Sequence, residues 1–275
     1  MTNRSRLQMF LMLFAAFLLT AEISGYRAQA EDPKPDAPAQ ETPEPAAEKR
    51  LEISDKPAPD RKDPNLKRLS PNYDVWIDGK NKRVVLEGTI CRTEGELEMF
   101  ACTRRTKEHE SVVTVLTAAH PVHAALMVVG AVPGKPVSFD PVYTPATGTE
   151  IEIEMSWTDE KGNSKKARAQ DWIMDVKTKK AMTHNWVFAG SGFYLDETSG
   201  KRHYLADQGD FVCVSNFSSA MLDLPIKSTD QKDSGMLFDA FTENIPPKGT
   251  RVTMTLIPKL TPKSEPATKV EPPKK

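Results

Sequence analysis

The side chains best suited to chemistry cluster in Lys107-Glu108-His109-Glu110-Ser111, followed by His120 and His123. Two or three imidazoles and a carboxylate are the minimum set that holds a zinc ion with one open coordination position, and such a centre turns bound water into a nucleophile for hydrolysis. His109, Glu110 and His123 are the candidate ligands. Their spacing matches no established zinc signature, and HExxH is absent. Pro121 biases the preceding His120 out of helical geometry, so His120 and His123 need not share a face. The competing expectation is a charged strand end beside one histidine hydrogen-bonded in the core.

Gly190-Ser191-Gly192 lacks the G-x-S-x-G of a nucleophile elbow, and a strand-to-strand turn accounts for its glycines. Asp196, Glu197, Asp207 and Asp210 fall on successive turns, where aspartate satisfies local backbone donors; no calcium-loop spacing is present. Trp186, Phe188, Phe193, Tyr194, Tyr204 and Phe211 crowd the same region. Alternation sends some of them inward and some outward, which predicts core packing, the alternative being an aromatic ligand-binding face.

Three cysteines, Cys91, Cys102 and Cys213, allow one intrachain bridge at most. If Glu94-Gly95 is a hairpin turn, Cys91 and Cys102 lie four residues apart along the ladder, roughly 13 Å at the usual strand rise. Bridged Cα atoms lie within ~7 Å. A longer loop, a bridge to Cys213, or three buried reduced thiols acting as small hydrophobes are the readings left open, the last being preferred.

The elements that must position these residues are mostly strands. Ile151 to Trp157 alternates apolar and polar residues, and DEKGN at 159–163 supplies the turn before a return strand at Lys165 to Ala169. Val252 to Leu256 alternates in the same way. Val84 to Ile90 and Leu97 to Cys102 read as arms of a hairpin, and WVFA, FYL, HYLA and DFVCV from Trp186 onward read as a meander. One helix is expected over 121–129, opened by Pro121, closed by Gly130 and apolar on every side. Shorter helices are expected at Ser218 to Leu222, capped by Asn216 or Ser215, and near Asp171 to Asp175. These patterns predict an α+β fold, a mostly antiparallel sheet with one buried helix.

The ends differ in composition from this middle. Arg4 and Arg6 precede an apolar run from Met9 to Leu19, and Ala28-Gln29-Ala30 offers a small-x-small cleavage site, which reads as a secretory signal over residues 1–30. That run is about half the ~20 residues a spanning helix needs, so the expectation is an exported chain, periplasmic or extracellular, that is no integral membrane protein after cleavage. Residues 31–70 (EDPKPDAPAQETPEPAAEKR and onward) and 258–275 hold most of the 22 prolines and little to bury. They read as a disordered linker and tail around one folded domain at 71–257. A net charge of −1 removes the electrostatic argument for nucleic acid.

The segments CRTEGELEMFACTRRTKEHESVV, VHAALMVVGAVPGKPV, WVFAGSGF and YLADQGDFVCVSNFSSAMLDLP together resemble the YdjY-domain family of secreted bacterial proteins, particularly its planctomycete-type members. The family pattern of a strand ending in K-x-H/Y-E-S, a helix beginning x-H-x-A-L, and W-V-F-x-G-S falls here on Lys107, His109, Glu110 and Ser111, on His123, Ala125 and Leu126, and on Trp186 to Ser191. The resemblance implies an extracytoplasmic domain and carries no biochemical activity with it. Some relatives bear the label ferredoxin-like, but three cysteines without a C-x2-C run are too few for an iron–sulfur cluster. Lys107, Glu110, Trp186 and Ser191 are the candidate ligand-binding residues, and no catalytic residue is assigned. The expected function is a binding or structural module with no cofactor and a cell-envelope or extracellular partner. The alternatives are a zinc hydrolase built on Glu110, His109 and His123, and a thiol redox protein built on Cys91 and Cys102.

Overall fold

A computed structural model describes residues 58–228 and 236–260; the expected signal sequence, most of the linker and most of the tail lie outside the described residues. In chain order the strands are β1 (Leu66–Arg68), β2 (Val75–Asp78), β3 (Arg83–Ile90), β4 (Met99–Thr103), β5 (Ser111–Val115), β6 (Glu150–Thr158), β7 (Ser164–Arg168), β8 (Ile173–Asp175), β9 (Lys180–Ala181), β10 (Trp186–Phe188), β11 (Phe193–Asp196), β12 (Lys201–Tyr204), β13 (Val212–Cys213), β14 (Leu222–Asp223), β15 (Phe238–Ala240) and β16 (Arg251–Pro258). Among the described residues the one α-helix is α1 (Ala119–Val128), between β5 and β6.

Eight strands close on themselves in the order β3, β16, β6, β10, β14, β13, β4, β5 and back to β3. Two of the pairings, β4 with β5 and β13 with β14, are parallel, and the other six are antiparallel. The fold is therefore a closed mixed β-barrel with one helix. This corrects the expected α+β, mostly antiparallel sheet. Closure leaves no free edge within the barrel.

The strongest periodic signals formed the expected strands. On β6, Ile151, Ile153 and Met155 are buried while Glu152 is exposed. On β16, Val252, Met254 and Leu256 are buried, and this strand bridges β3 and β6. Gly88 marks the closure point, since it pairs with Val252 on one side and Val115 on the other. A Cβ there would lie 2.7 Å from Val113 Cγ1, so any larger residue would push β5 away from β3.

Several local expectations are replaced. β3 and β4 do not form a hairpin, because β5 inserts between them and hydrogen-bonds to both. The expected meander from Trp186 divides: β10, β13 and β14 enter the barrel, while β11 and β12 form a separate two-stranded sheet. Residues 218–222 form no helix; they lead into β14, and Asn216 uses its amide on Asp223 and Leu224. The 171–175 segment is a 3-10 turn, Ala169–Trp172, running into β8.

The helix begins two residues before Pro121, so His120 sits within its first turn. The Asp207 carboxylate reaches across from a distant loop, accepting from the backbone N–H groups of Ala119 at 2.8 Å and His120 at 3.1 Å and facing His120 Nδ1 at 2.8 Å. A carboxylate on those orphan donors stabilises the helix start. Its expected all-round burial holds for Ala119, Val122, Ala125 and Leu126, whereas Met127 and Val128 are exposed.

Trp186, Phe100, Phe188, Phe211 and Trp172 are fully buried, with the Phe100 ring tilted against Trp186 and Trp172 at centroid distances of 5.7 and 6.2 Å. Residues 58–70, the expected end of the linker, carry β1 and two arginines whose guanidiniums lie over Trp76 at 5.0 and 4.4 Å. Arg68 also pairs with the buried Asp74 at 3.1 Å.

Candidate functional site

The two parallel pairings place the polar residues. A parallel neighbour requires the chain to travel back along the strand before re-entering. Residues 104–110 do this between β4 and β5 and carry Lys107, His109 and Glu110; residues 214–221 do it between β13 and β14 and carry Phe217 and Ser219. These two returns meet over Asp210. Lys107 Nζ lies 2.8 Å from Asp210 Oδ1, 3.5 Å from Glu110 Oε1 and 4.5 Å over the Phe217 ring. The Ser219 hydroxyl donates to the other oxygen of Asp210. Gly209, in the left-handed region at φ 115°, lets the 205–210 segment approach this closely, since a Cβ there would sit 2.9 Å from Lys107 Cγ.

Burial works against the charge on Lys107, yet the hydrogen bond and charge of Asp210 outweigh it and hold the ammonium above its ordinary value. Burial and the neighbouring Glu110 carboxyl push Glu98 up. Asp223, on β14, is fully buried and pushed up to about 7, chiefly by desolvation. One of its oxygens accepts from Asn216 and Leu224; the other has no hydrogen-bond partner among the described residues.

A second arm runs through the base of β12. His123 Nδ1 lies 2.9 Å from the Tyr204 hydroxyl, which donates to the Gly190 carbonyl at 3.1 Å. That direction makes Nδ1 the donor to Tyr204. Burial lowers the His123 pKa and raises that of Tyr204, which favours the neutral form of each. Ser191 adopts a left-handed φ of 55°, a conformation costly for a residue with a Cβ. Two hydrogen bonds hold it there: its hydroxyl donates to the Ser219 carbonyl at 2.6 Å and accepts from Ala206 N at 3.1 Å. Through Ser219 the two arms become one chain of polar contacts, from His123 to Lys107 and Glu110.

The structure thus joins Lys107 and Glu110 directly and connects Ser191 and His123 to them through Ser219, Tyr204 and Asp210. His109 is largely exposed, 3.8 Å from Glu110. His123 lies in the other arm, and among the described residues no three His, Cys, Asp or Glu side chains converge as metal ligands. Trp186 belongs to the core, where its indole N–H donates to the Cys213 carbonyl at 2.7 Å. The sequence gives no signal for Glu98 or Ser219, offers Tyr204 only as one of the crowded aromatics, and presents Asp207 and Asp210 as turn residues. Of the acids Asp196, Glu197, Asp207 and Asp210, Asp196 does the turn work, accepting from the backbone N–H groups of Thr198 and Ser199. Within this geometry His123→Ala leaves Tyr204 with an unmet contact and a cavity beside Phe188. It should cost about 1–3 kcal/mol in chemical denaturation.

Fold and site together define a closed mixed-barrel domain whose polar network is built on two tight parallel crossovers. A model of the YdjY domain matches residues 75–257, and the chain belongs to that family. No curated protein and no solved structure matches it.

Proposed function

We propose that this is an exported module that binds a protein of the cell envelope through one apolar flank. Export is supported by Arg4, Arg6, the Met9–Leu19 run and Ala28-Gln29-Ala30. The observation carrying the binding role is the distribution of exposed apolar side chains. All the large ones among the described residues except Leu69 lie at the end of α1 (Met127, Val128), in the loop after it (Val132, Phe139, Val142), on β11 (Phe193, Tyr194, Leu195) and at Leu260. They are between 39% and 68% exposed. These segments adjoin: Gly130 packs on Leu260, Gly190 on Pro133, and His123 of α1 on Tyr204 of β12.

Apolar surface gathered on one flank marks an interaction site. Its aromatic and arginine content is that of protein-binding hot spots, with Arg202 over Phe193 at 4.8 Å and Tyr194 stacked on His203 at 5.0 Å. The barrel interior is filled by side chains, which directs recognition to the outside. Among the described residues no helix is long and apolar enough to cross a membrane.

Fractionation of the native host tests this. The mature chain should begin at or near Glu31 and be retained with the envelope. Phe193→Ser with Leu195→Ser should release it to the soluble fraction without lowering its melting temperature. Equal retention of that variant would contradict the proposal.

A further inference from the structure

Along β6 the inward-facing positions Ile151, Ile153 and Met155 are buried, and Trp157 continues the same alternation where the barrel ends. Of the four tryptophans, Trp76, Trp172 and Trp186 are at most 1% exposed, while Trp157 is only half-buried. Its indole is braced edge-on against Trp172 at 5.3 Å. Its N–H is neither buried nor hydrogen-bonded among the described residues. Beside it opens a cleft of about 740 Å³, a volume usual for small-molecule sites and a position, the mouth of a barrel, where they recur. Both walls are preformed. The β6–β7 turn is fixed by the Asp159 carboxylate, which accepts from the backbone N–H groups of Lys161 at 3.0 Å and Asn163 at 2.8 Å and from the Asn163 amide at 3.1 Å. The opposite wall, residues 247–250, is fixed by backbone N–H bonds from Gly249 to the Ile90 carbonyl at 2.8 Å and from Thr250 to the Pro247 carbonyl at 3.0 Å. The pairing of β16 with β6, Val252 opposite Trp157, sets the two walls side by side.

We propose that this cleft binds a carboxylated glycan, with a sugar ring lying on the Trp157 indole and the carboxylate on Arg251. A rigid indole at the floor of a cleft offers a flat apolar face to the C–H face of a sugar ring and an unclaimed N–H to one of its hydroxyls. Thr158 and Thr250 add hydroxyls to the lining, and a wholly apolar ligand would strand these groups without water. The charge of the lining selects an acid. Lys161, Lys165 and Arg251 stand against Asp159 and Glu160, and Asp159 is already committed to its own turn and to Lys165 at 3.6 Å. Arg251 is exposed and has no ion-pair partner among the described residues. Its planar guanidinium matches a carboxylate with two parallel donors, which a neutral sugar would leave unused. The choice of a glycan among ring acids rests on the export proposed above, which places the chain among envelope polysaccharides; the cleft itself is built from elements other than the flank of α1 and β11.

Acrylamide quenching of the purified mature protein tests this, because Trp157 is the accessible tryptophan and the three buried ones form a silent background. The probes are trigalacturonic acid, the disaccharide of N-acetylglucosamine and N-acetylmuramic acid, and neutral maltotriose. At least one acidic probe should shield Trp157 saturably, and maltotriose should bind about tenfold more weakly or worse, the worth of one charge-assisted hydrogen bond. Arg251→Met should weaken the acidic probe by about the same factor with an unchanged melting curve and no effect on maltotriose. Trp157→Leu, read by calorimetry, should abolish binding of the acidic probe. Failure of both acidic probes to shield Trp157, equal shielding by maltotriose, unchanged acidic affinity in Arg251→Met, or retained affinity in folded Trp157→Leu would each overturn the proposal. None of these results bears on export or on the apolar flank, which fractionation tests separately.

Discussion

Asp223→Asn should stabilise the protein by about 1–3 kcal/mol near pH 8 and flatten its stability between about pH 4 and 7. The buried carboxyl titrates at about 7 in the folded chain against an ordinary 3.8, so between those values the folded state holds a proton that the unfolded state has lost. Stability associated with this group is fully present below pH 4, declines as pH rises, and is gone above about 7. The upper limit of that decline is ~4 kcal/mol from a shift of this size. Asparagine keeps the acceptor used by Asn216 and Leu224 and carries no charge to bury. Asp78 and Glu150, whose pKa values are lowered in the folded chain, act in the opposite sense at lower pH. The informative quantity is therefore the difference between wild type and variant in urea titrations across pH. A difference that stays constant from pH 5 to 8 would show that Asp223 ionises normally.

Lys107→Met should destabilise the fold by about 2–3 kcal/mol. The cost comes less from the lost attraction than from Asp210, which is left 7% exposed with a charge and no cation beside it. The figure is below that of a fully buried pair, because Lys107 keeps about a quarter of its side chain in water. Adding Asp210→Asn should recover most of the loss, since the amide removes the orphaned charge and can still receive the Ser219 hydroxyl. Additive losses in this double-mutant cycle would mean the two groups do not interact.

Where the chain repeats a pattern over many residues, the fold was legible. β6 and β16 alternate through whole strands, and Pro121 with Gly130 located α1 to within two residues at its start and one at its end. Barrel closure was hidden because it depends on short strands: β13 and β14 are two residues each, too short for any period to register. The β4–β5 pairing was hidden for a different reason. Its return path, 104–110, is shorter than the usual parallel crossover, so antiparallel pairing across Glu94-Gly95 looked more economical. That one substitution of partner also misplaced Cys91 and Cys102. Glu110 and His123 stood out by residue type, and Lys107 and Ser191 through the family pattern, while Asp210 and Ser219, which link them, come from loops with no local signature beyond turn-forming composition, and Tyr204 closes β12 as one of several crowded aromatics.

Photo-crosslinking in the native host tests the binding role most directly. A photoreactive side chain at Leu195, on the exposed β11, should capture one envelope protein as an adduct of single mass. The same group at Lys161, on the turn between β6 and β7, should not, and Phe193→Ser should abolish the Leu195 adduct while the protein remains folded. Equal capture from both positions, or none from Leu195 in correctly exported protein, would contradict a docking flank formed by β11 and the end of α1.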